Sequence, residues 1–460
     1  MKKKLSIFEL AEKFTAMESR HDLFAKETPD GVKYWDALRY GIYLTILFKY
    51  GFVEDSYFSV PRISPQKKLI KSAYLLFRAL LNDFNLFLSS KKKYAYIFLS
   101  ISRFEDKSGN PADFVLKDIY DQLQKDSFCI EFFRHKSFGF FKRNTKGRYF
   151  TYKLELMNLI SKPRKSGWSY ITNVINAEYD LDINWGDVFD YKILEYKNEY
   201  KFFKKIFKRI KPKYLFFQSL PKGMIAAAND LNIITIDVLH GYTNNLGMFY
   251  GYSKSAPPKQ VKTLPQKLFT FSEYSSSIID FPVEKVVVGN SYFFEQKSIC
   301  ESAKSAIMIV SGFFIHDYLS AATYSLAVAH PDVTFYYKLH SNQGQQELEC
   351  RRHFSPLSNV AVIYTEKNVN EIMDDCFAII VIQSTVTYQA LQKGLKVFIF
   401  KKDYYEISYD VFNEPGVFLV DNWKELSTLL SNKDLQGNTV SKTMFFEPFN
   451  KNVLEEVINF

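Results

Sequence analysis

The chain has 460 residues, 47% of them hydrophobic, enough for about two to three domains with cores of their own. Its net charge of +10, from 60 Lys and Arg against 50 Asp and Glu, favours anionic partners such as nucleotides or membrane surfaces. No nucleic-acid-binding module is recognisable, no apolar core follows Met1 and its three lysines, and the longest apolar run, near 42–48, falls far short of the ~20 residues that cross a bilayer. Nucleic-acid binding, secretion and membrane spanning are therefore not expected. The chain reads as soluble or peripheral.

Four cysteines, Cys129, Cys300, Cys350 and Cys376, are scattered without a CxxC pair, which argues against a disulfide framework or zinc site and fits a reducing cytoplasm. The 31 Tyr and 44 Phe read as compositional bias rather than as a stacking surface. Lysine clusters at 2–4, at 91–93 and at Lys204, Lys205 and Lys208 suit anionic lipid headgroups on the inner face of the cytoplasmic membrane; solvated lysine is the plainer reading.

In chain order, helical periodicity predicts helices over 34–50 and 68–88, a strand over 94–100, a helix near 112–123 and a strand near 127–133. Residues 138–182 carry no clear pattern. A long helix is expected over 185–209, followed by a strand at 214–218, a helix at 222–232 and a strand at 233–239 that stops at His240 and Gly241. The loop 242–265 is long, and such loops are usually functional or linkers. Strands at 267–271 and 285–288 flank a helical turn near 275–281, and the second strand stops at Gly289 and Asn290. From 306 onwards short apolar runs alternate with helices: AIMIV, then a helix over 316–330, then YYK, VAVI, FAIIVI and KVFIF. This is the strand–helix alternation of an α/β fold with parallel sheets. The tail 450–460 is amphipathic and helical in pattern.

Polar residues stand where the strands stop. In an open parallel sheet, ligands bind beyond the carboxyl ends of the strands. Gly312, Lys338, His340, Gln383, Ser384 and Thr385 occupy such positions and suit a phosphate-bearing ligand. Ser384 and Thr385 open a helix, where unpaired backbone N–H groups favour an anion, although a plain helix cap explains them too. Gln389 lies one turn after Thr385, where it could accept from a ribose diol. His240, at a strand end beside Gly241, is the strongest candidate base; a buried structural histidine is the alternative. Glu273 and the acidic run Glu178, Asp180, Asp182 and Asp187 are weaker candidates. None of the seven histidines has metal-ligand spacing.

The ordered set LHG (239–241), FSEY (271–274), VVGN (287–290), KLH (338–340) and STVTYQA (384–390) resembles the GT-B glycosyltransferases of bacterial capsule and surface-polysaccharide assembly. The likeness covers residues 210–402 well and the first 200 loosely. Two departures stand out: Ser341 replaces a proline after His340, and Gln389 replaces a glutamate.

The resemblance implies two Rossmann-like domains facing each other across a cleft. It places an acceptor-side domain at 1–262, a nucleotide-sugar-binding domain at 263–440, and a tail at 441–460 packing back on the first. It implies an inverting transferase that needs no metal or cofactor, takes a nucleotide-sugar, with a lean to a CMP-linked donor, and acts on a glycan or lipid-linked glycan. His240 and His340 are then catalytic; Gly312, Lys338, Gln383, Ser384, Thr385 and Gln389 hold the donor; Gly241, Tyr242 and Glu273 lie on the acceptor side. A CDP-glycerol-type polyol-phosphate transferase, a 2-epimerase of the same shape and a non-catalytic glycan-binding or scaffold protein, the last favoured by Gln389, remain alternatives. The short Asp180-Leu-Asp182 string, a metal motif in GT-A enzymes, is discounted on this layout.

Overall fold

Strands in the second half are apolar on both faces, as strands covered by helices on either side must be. The computed structural model describes residues 5–53, 64–89, 93–100, 104–105, 111–131, 148–218, 221–252, 261–294, 305–312, 315–340, 343–402, 404–432, 441 and 443–458. Cys300, Ser341, the lysines at 2–4 and 91–92, and residues 132–133, 138–147, 253–260 and 459–460 lie outside them. β10 (Ala306–Val310), β11 (Thr334–Lys338), β12 (Val360–Ile363), β13 (Cys376–Val381), β14 (Lys396–Phe400) and β15 (Val417–Val420) form a six-stranded sheet. Its order is β12-β11-β10-β13-β14-β15, and every pairing is parallel.

The first half holds β1 (Tyr96–Ser100), the short antiparallel pair β2 (Phe104–Glu105) and β3 (Pro111–Ala112), β4 (Ser127–Glu131), β5 (Arg148–Phe150), β6 (Tyr214–Phe217), β7 (Ile234–Val238), β8 (Lys267–Thr270) and β9 (Glu284–Val287). Seven of these make a second parallel sheet in the order β5-β4-β1-β6-β7-β8-β9. The α/β expectation of two parallel sheets holds.

The expected boundary at 262/263 needs correction: β8 and β9 pair with β7, so the chain leaves the first sheet only after Val287. The unpatterned stretch 138–182 contains β5 and the helices Tyr152–Ile160 and Ser169–Tyr179. Asp180 of the discounted acidic string ends the second of these helices in left-handed backbone (φ 52°), a conformation aspartate tolerates.

The tail returns to the first half. Asn450 N–H donates to the Val288 carbonyl and Glu447 N–H to that of Phe271, while Tyr214 Oη donates to Ile458 of the helix Lys451–Ile458.

Two N-terminal helices, Ile7–Arg20 and Trp35–Lys49, pin the loop after β7. Arg39 is fully buried and holds Glu18 through Nε (2.6 Å) and Nη2 (3.0 Å). Its guanidinium also donates to the carbonyls of Met248 and Gly251 and lies 4.2 Å from the Tyr252 ring centre. Removing one member of such a pair would leave a buried charge, typically costing about 3–5 kcal/mol.

The halves are joined by a half-buried carboxyl group. Asp410, in the 3-10 segment Tyr405–Val411, accepts from Asn244 Nδ2 (2.7 Å) and Tyr274 Oη (3.0 Å) of the first half and from Tyr388 Oη (3.0 Å) of the second. The Ile7 N–H donates to Glu406 of the same segment.

Burial holds the Asp410 carboxyl above the usual carboxylate range, outweighing its hydrogen bonds. The folded protein therefore keeps this proton at pH values where the unfolded chain has lost it. Stability contributed by Asp410 falls as pH rises from the ordinary carboxylate value through the raised one. Urea unfolding across that window should show a flatter pH profile for Asp410→Asn than for wild type. Asp410→Ala strands the Tyr388 hydroxyl, while Tyr274 and Asn244 keep the backbone carbonyls of residues 410 and 407, and should cost about 1–3 kcal/mol. An unchanged slope in Asp410→Asn would contradict this assignment.

Candidate active site between the two sheets

Both sheets reverse their direction of growth once. In the second, the chain adds strands outward from β10 to β12, then returns to place β13 on the other side of β10. In the first, the reversal lies between β1 and β6. Ligand crevices form at the carboxyl ends of strands flanking such points. In the second half these ends carry Ser311 and Gly312 after β10, and Gln383, Ser384 and Thr385 after β13.

The turn after β10 is supported from below. The Gly312 carbonyl accepts from Ile315 N–H (3.2 Å) and Gln343 Nε2 (3.4 Å). His316, first residue of the helix His316–Ala329, places Nδ1 3.0 Å from Tyr337 Oη and 3.3 Å from Ser311 Oγ. Its Nε2 is 3.3 Å from Cys350 Sγ. This has the composition of a cysteine–histidine dyad, but the electrostatics are wrong for one. Burial pushes the Cys350 thiol up to about 11 and holds His316 below the usual imidazole value. A neutral thiol beside a neutral imidazole shapes the turn and is no nucleophile. The sequence reading missed Ser311 and His316, although a Ser-Gly pair ending an apolar strand was the available signal.

Ser384 Oγ accepts the N–H of Val386 (3.2 Å), the first residue of the helix Val386–Gln392, and retains its own proton to donate. Gln383 is exposed beside it. His340 is exposed at the end of β11; its N–H donates to Gln343 Oε1 (2.8 Å) and its carbonyl accepts the Gln343 N–H (2.8 Å). Because β10 intervenes, His340 stands two strands, about 10 Å, from Ser384. Lys338 is half-buried, its ammonium donating to the Tyr364 carbonyl at the end of β12, and burial lowers its proton affinity. Gln389 is buried, its amide donating to Asn370 Oδ1 (3.3 Å) on the helix Val369–Met373. Lys338 and Gln389 are thus occupied by protein partners at these atoms.

From the first half, the end of β7 meets this row directly. Tyr242 N–H donates to Thr385 Oγ1 (3.0 Å), and the Tyr242 ring stacks on Tyr388 with centroids 3.7 Å apart. A Cβ on Gly241 would stand 2.7 Å from Thr385 Oγ1, so only glycine permits the approach. Tyr242 Oη donates to the Phe445 carbonyl of the tail. His240, half-buried, immediately precedes this contact.

The structure therefore brings Gly241 and Tyr242 against Thr385, with His240 and Ser384 next to them in sequence, and leaves His340 exposed two strands away. Glu273 is exposed at the first turn of the helix Glu273–Ser277; its neighbour Tyr274 is the residue that reaches Asp410. Asn290 of the VVGN string donates to the Phe114 and Val115 carbonyls (3.3 Å each), a structural role.

At the reversal point of the first sheet, Gln218 is 1% exposed; Nε2 donates to Asp113 (2.6 Å) while Oε1 has no hydrogen-bond partner among the described residues. A buried unpaired acceptor is costly and marks a place where a ligand or water donor fits. No group of three metal-ligating side chains occurs among the described residues.

The chain is similar in structure to the UDP-GlcNAc 2-epimerase of Neisseria meningitidis bound to UDP-GlcNAc, at 13% identity and a TM-score of 0.50, over 79% of this chain and 100% of that one. The Staphylococcus aureus MnaA–UDP structure matches at 11% identity and TM-score 0.47 (79% and 95% covered). The spinosyn forosaminyltransferase SpnP matches at 12% and 0.41 (75% and 93%). No family model and no curated protein matches the sequence. The fold is GT-B-like, with two parallel Rossmann-like sheets.

The Gly241 contact has a direct test. Gly241→Ala should displace Thr385, break its bond to Tyr242 and destabilise the protein by about 1–3 kcal/mol. In a Thr385→Ala background the same change should cost at least 1 kcal/mol less, as expected for residues in contact. Additive effects in chemical denaturation would contradict the contact.

Proposed function

We propose that the protein is a nucleotide-sugar-dependent glycosyltransferase, inverting and metal-independent, with the donor along the strand ends of the six-stranded sheet. The carrying observation is the contact of Gly241 and Tyr242, which directly follow His240 at the end of β7, with Thr385 at the end of β13. The hydroxyl proton of Ser384 and the turn at Ser311 and Gly312 face the leaving phosphate, where preorganised donors stabilise developing charge. His240 takes the proton of the acceptor hydroxyl as that oxygen bonds to the anomeric carbon and the bond from that carbon to the nucleotide phosphate oxygen breaks. His340 contacts the donor phosphate from the rim.

An acceptor surface distinguishes transfer from epimerisation. The whole of the Neisseria meningitidis chain is matched by 79% of this one. Epimerisation is the second reading, because that enzyme shares the fold and is bound to UDP-GlcNAc. The donor base is open between UDP, as in that structure, and CMP, to which the strand-end residues lean.

Thermal unfolding with CMP, CDP, UDP, GDP and dTDP should show one nucleotide raising stability by mass action, with a smaller shift in Ser384→Ala. His240→Gln should keep that shift but lower turnover by about a hundredfold or more. Incubating the matching nucleotide-sugar without acceptor separates the readings. Unchanged sugar fits a transferase, a mixture of C2 epimers fits an epimerase, and phosphorus retained in an acceptor product fits a polyol-phosphate transferase. No shift with any nucleotide at saturating concentration would overturn the proposal in favour of a non-catalytic glycan-binding protein.

A further inference from the structure

The helix Pro65–Ser89 buries only a narrow face. Leu75 and Ala79 pack against Tyr152, Leu156 and Leu159 beside the edge strand β5. Its opposite face is apolar and exposed: Leu69 and Ile70 are 73% and 72% accessible, and Leu76, Phe77, Leu80 and Phe84 continue the stripe at helical spacing. Scattered exposed apolar residues need no explanation, but a continuous stripe over four turns does. No helix among the described residues is long and apolar enough to cross a membrane.

Beside this stripe lies a cavity of about 240 Å3 between the helices Pro65–Ser89, Tyr152–Ile160 and Gly186–Ile210. Four cations line it, Lys153, Lys201, Lys205 and Arg209, with Asp83 as its one lining carboxylate. Asp83 is already held by Lys153 (2.5 Å) and by Tyr149 Oη (2.7 Å). Lys201, Lys205 and Arg209 follow one another at i, i+4 and i+8 on a single helix, a spacing at which like charges repel. An anion in the cavity would relieve that repulsion. Lys67, Lys68 and Lys71 add positive charge at the start of the apolar stripe.

We infer that this face docks on an anionic phospholipid bilayer. The apolar stripe enters the acyl boundary, as interfacial amphipathic helices do, and the cation-lined cavity takes a lipid phosphate. The charge complementarity selects a bilayer over a second copy of the chain, whose matching face would bring cations against cations. This docking is independent of the reaction proposed for the cleft.

The test is co-sedimentation of the full chain with vesicles of phosphatidylcholine alone and of phosphatidylcholine mixed with phosphatidylglycerol. Binding should require phosphatidylglycerol and weaken with salt. Replacing Leu76, Phe77 and Leu80 by serine should reduce partitioning at least tenfold. Lys201→Ala with Lys205→Ala should also weaken it about tenfold or more, from about 1 kcal/mol for each cation near the surface. Both sets of changes remove side chains outside the described cores, so thermal stability should stay close to wild type. Absence of binding to either vesicle overturns the inference. So does equal binding by the serine variant, or a dimer in light scattering that the serine variant disperses without any vesicle binding.

Discussion

A carboxyl group half removed from water must find donors, and Asp410 finds them in both halves at once. Asn244 and Tyr274 come from the loop and helix beyond β7 and β8, Tyr388 from the helix after β13. Satisfying that one group fixes the separation and rotation of the two sheets, because each donor belongs to an element rigidly attached to its own sheet. The Tyr242–Tyr388 stack and the Tyr242–Thr385 bond then follow within one turn of the same clamp.

The consequence for chemistry is positional. Gly241 and Thr385 belong to different sheets, and their contact depends on the clamp rather than on any local motif. The N-terminal helices reinforce it from outside: the buried Arg39–Glu18 pair holds the backbone at Met248 and Gly251, and Ile7 reaches Glu406 beside Asp410. An opening of the cleft that preserved these bonds would hinge at the β13 side and widen towards β11, where His340 stands exposed.

Much of the second half was legible in the sequence, since AIMIV, FAIIV and KVFIF are continuous apolar runs that only a covered parallel strand explains. The first sheet's extent was not. β8 and β9 follow a long loop and end at Gly289 and Asn290, so local pattern suggests a new domain, and only pairing with β7 assigns them to the old one. Residues 138–182 failed for a related reason: β5 is three residues long and its partners are distant. The strand-end hydroxyls were found because Ser and Thr after an apolar strand are a local signal. Gly241 and Tyr242 were named as well, but not their contact with Thr385, because the two segments meet across the chain, and nothing around Asp410 marks it as the group that joins the halves.

The central claim is that the strand ends brought together by the clamp form the nucleotide-sugar site. Hydrogen exchange read by mass spectrometry, with and without a saturating nucleotide-sugar that stabilises the protein, addresses it most directly. The account predicts slowed exchange in the peptides containing His240, Ser311 and Ser384, and little change at the edge strands β5 and β15. Protection confined to other regions, with these three peptides unchanged while the ligand is bound, would contradict it.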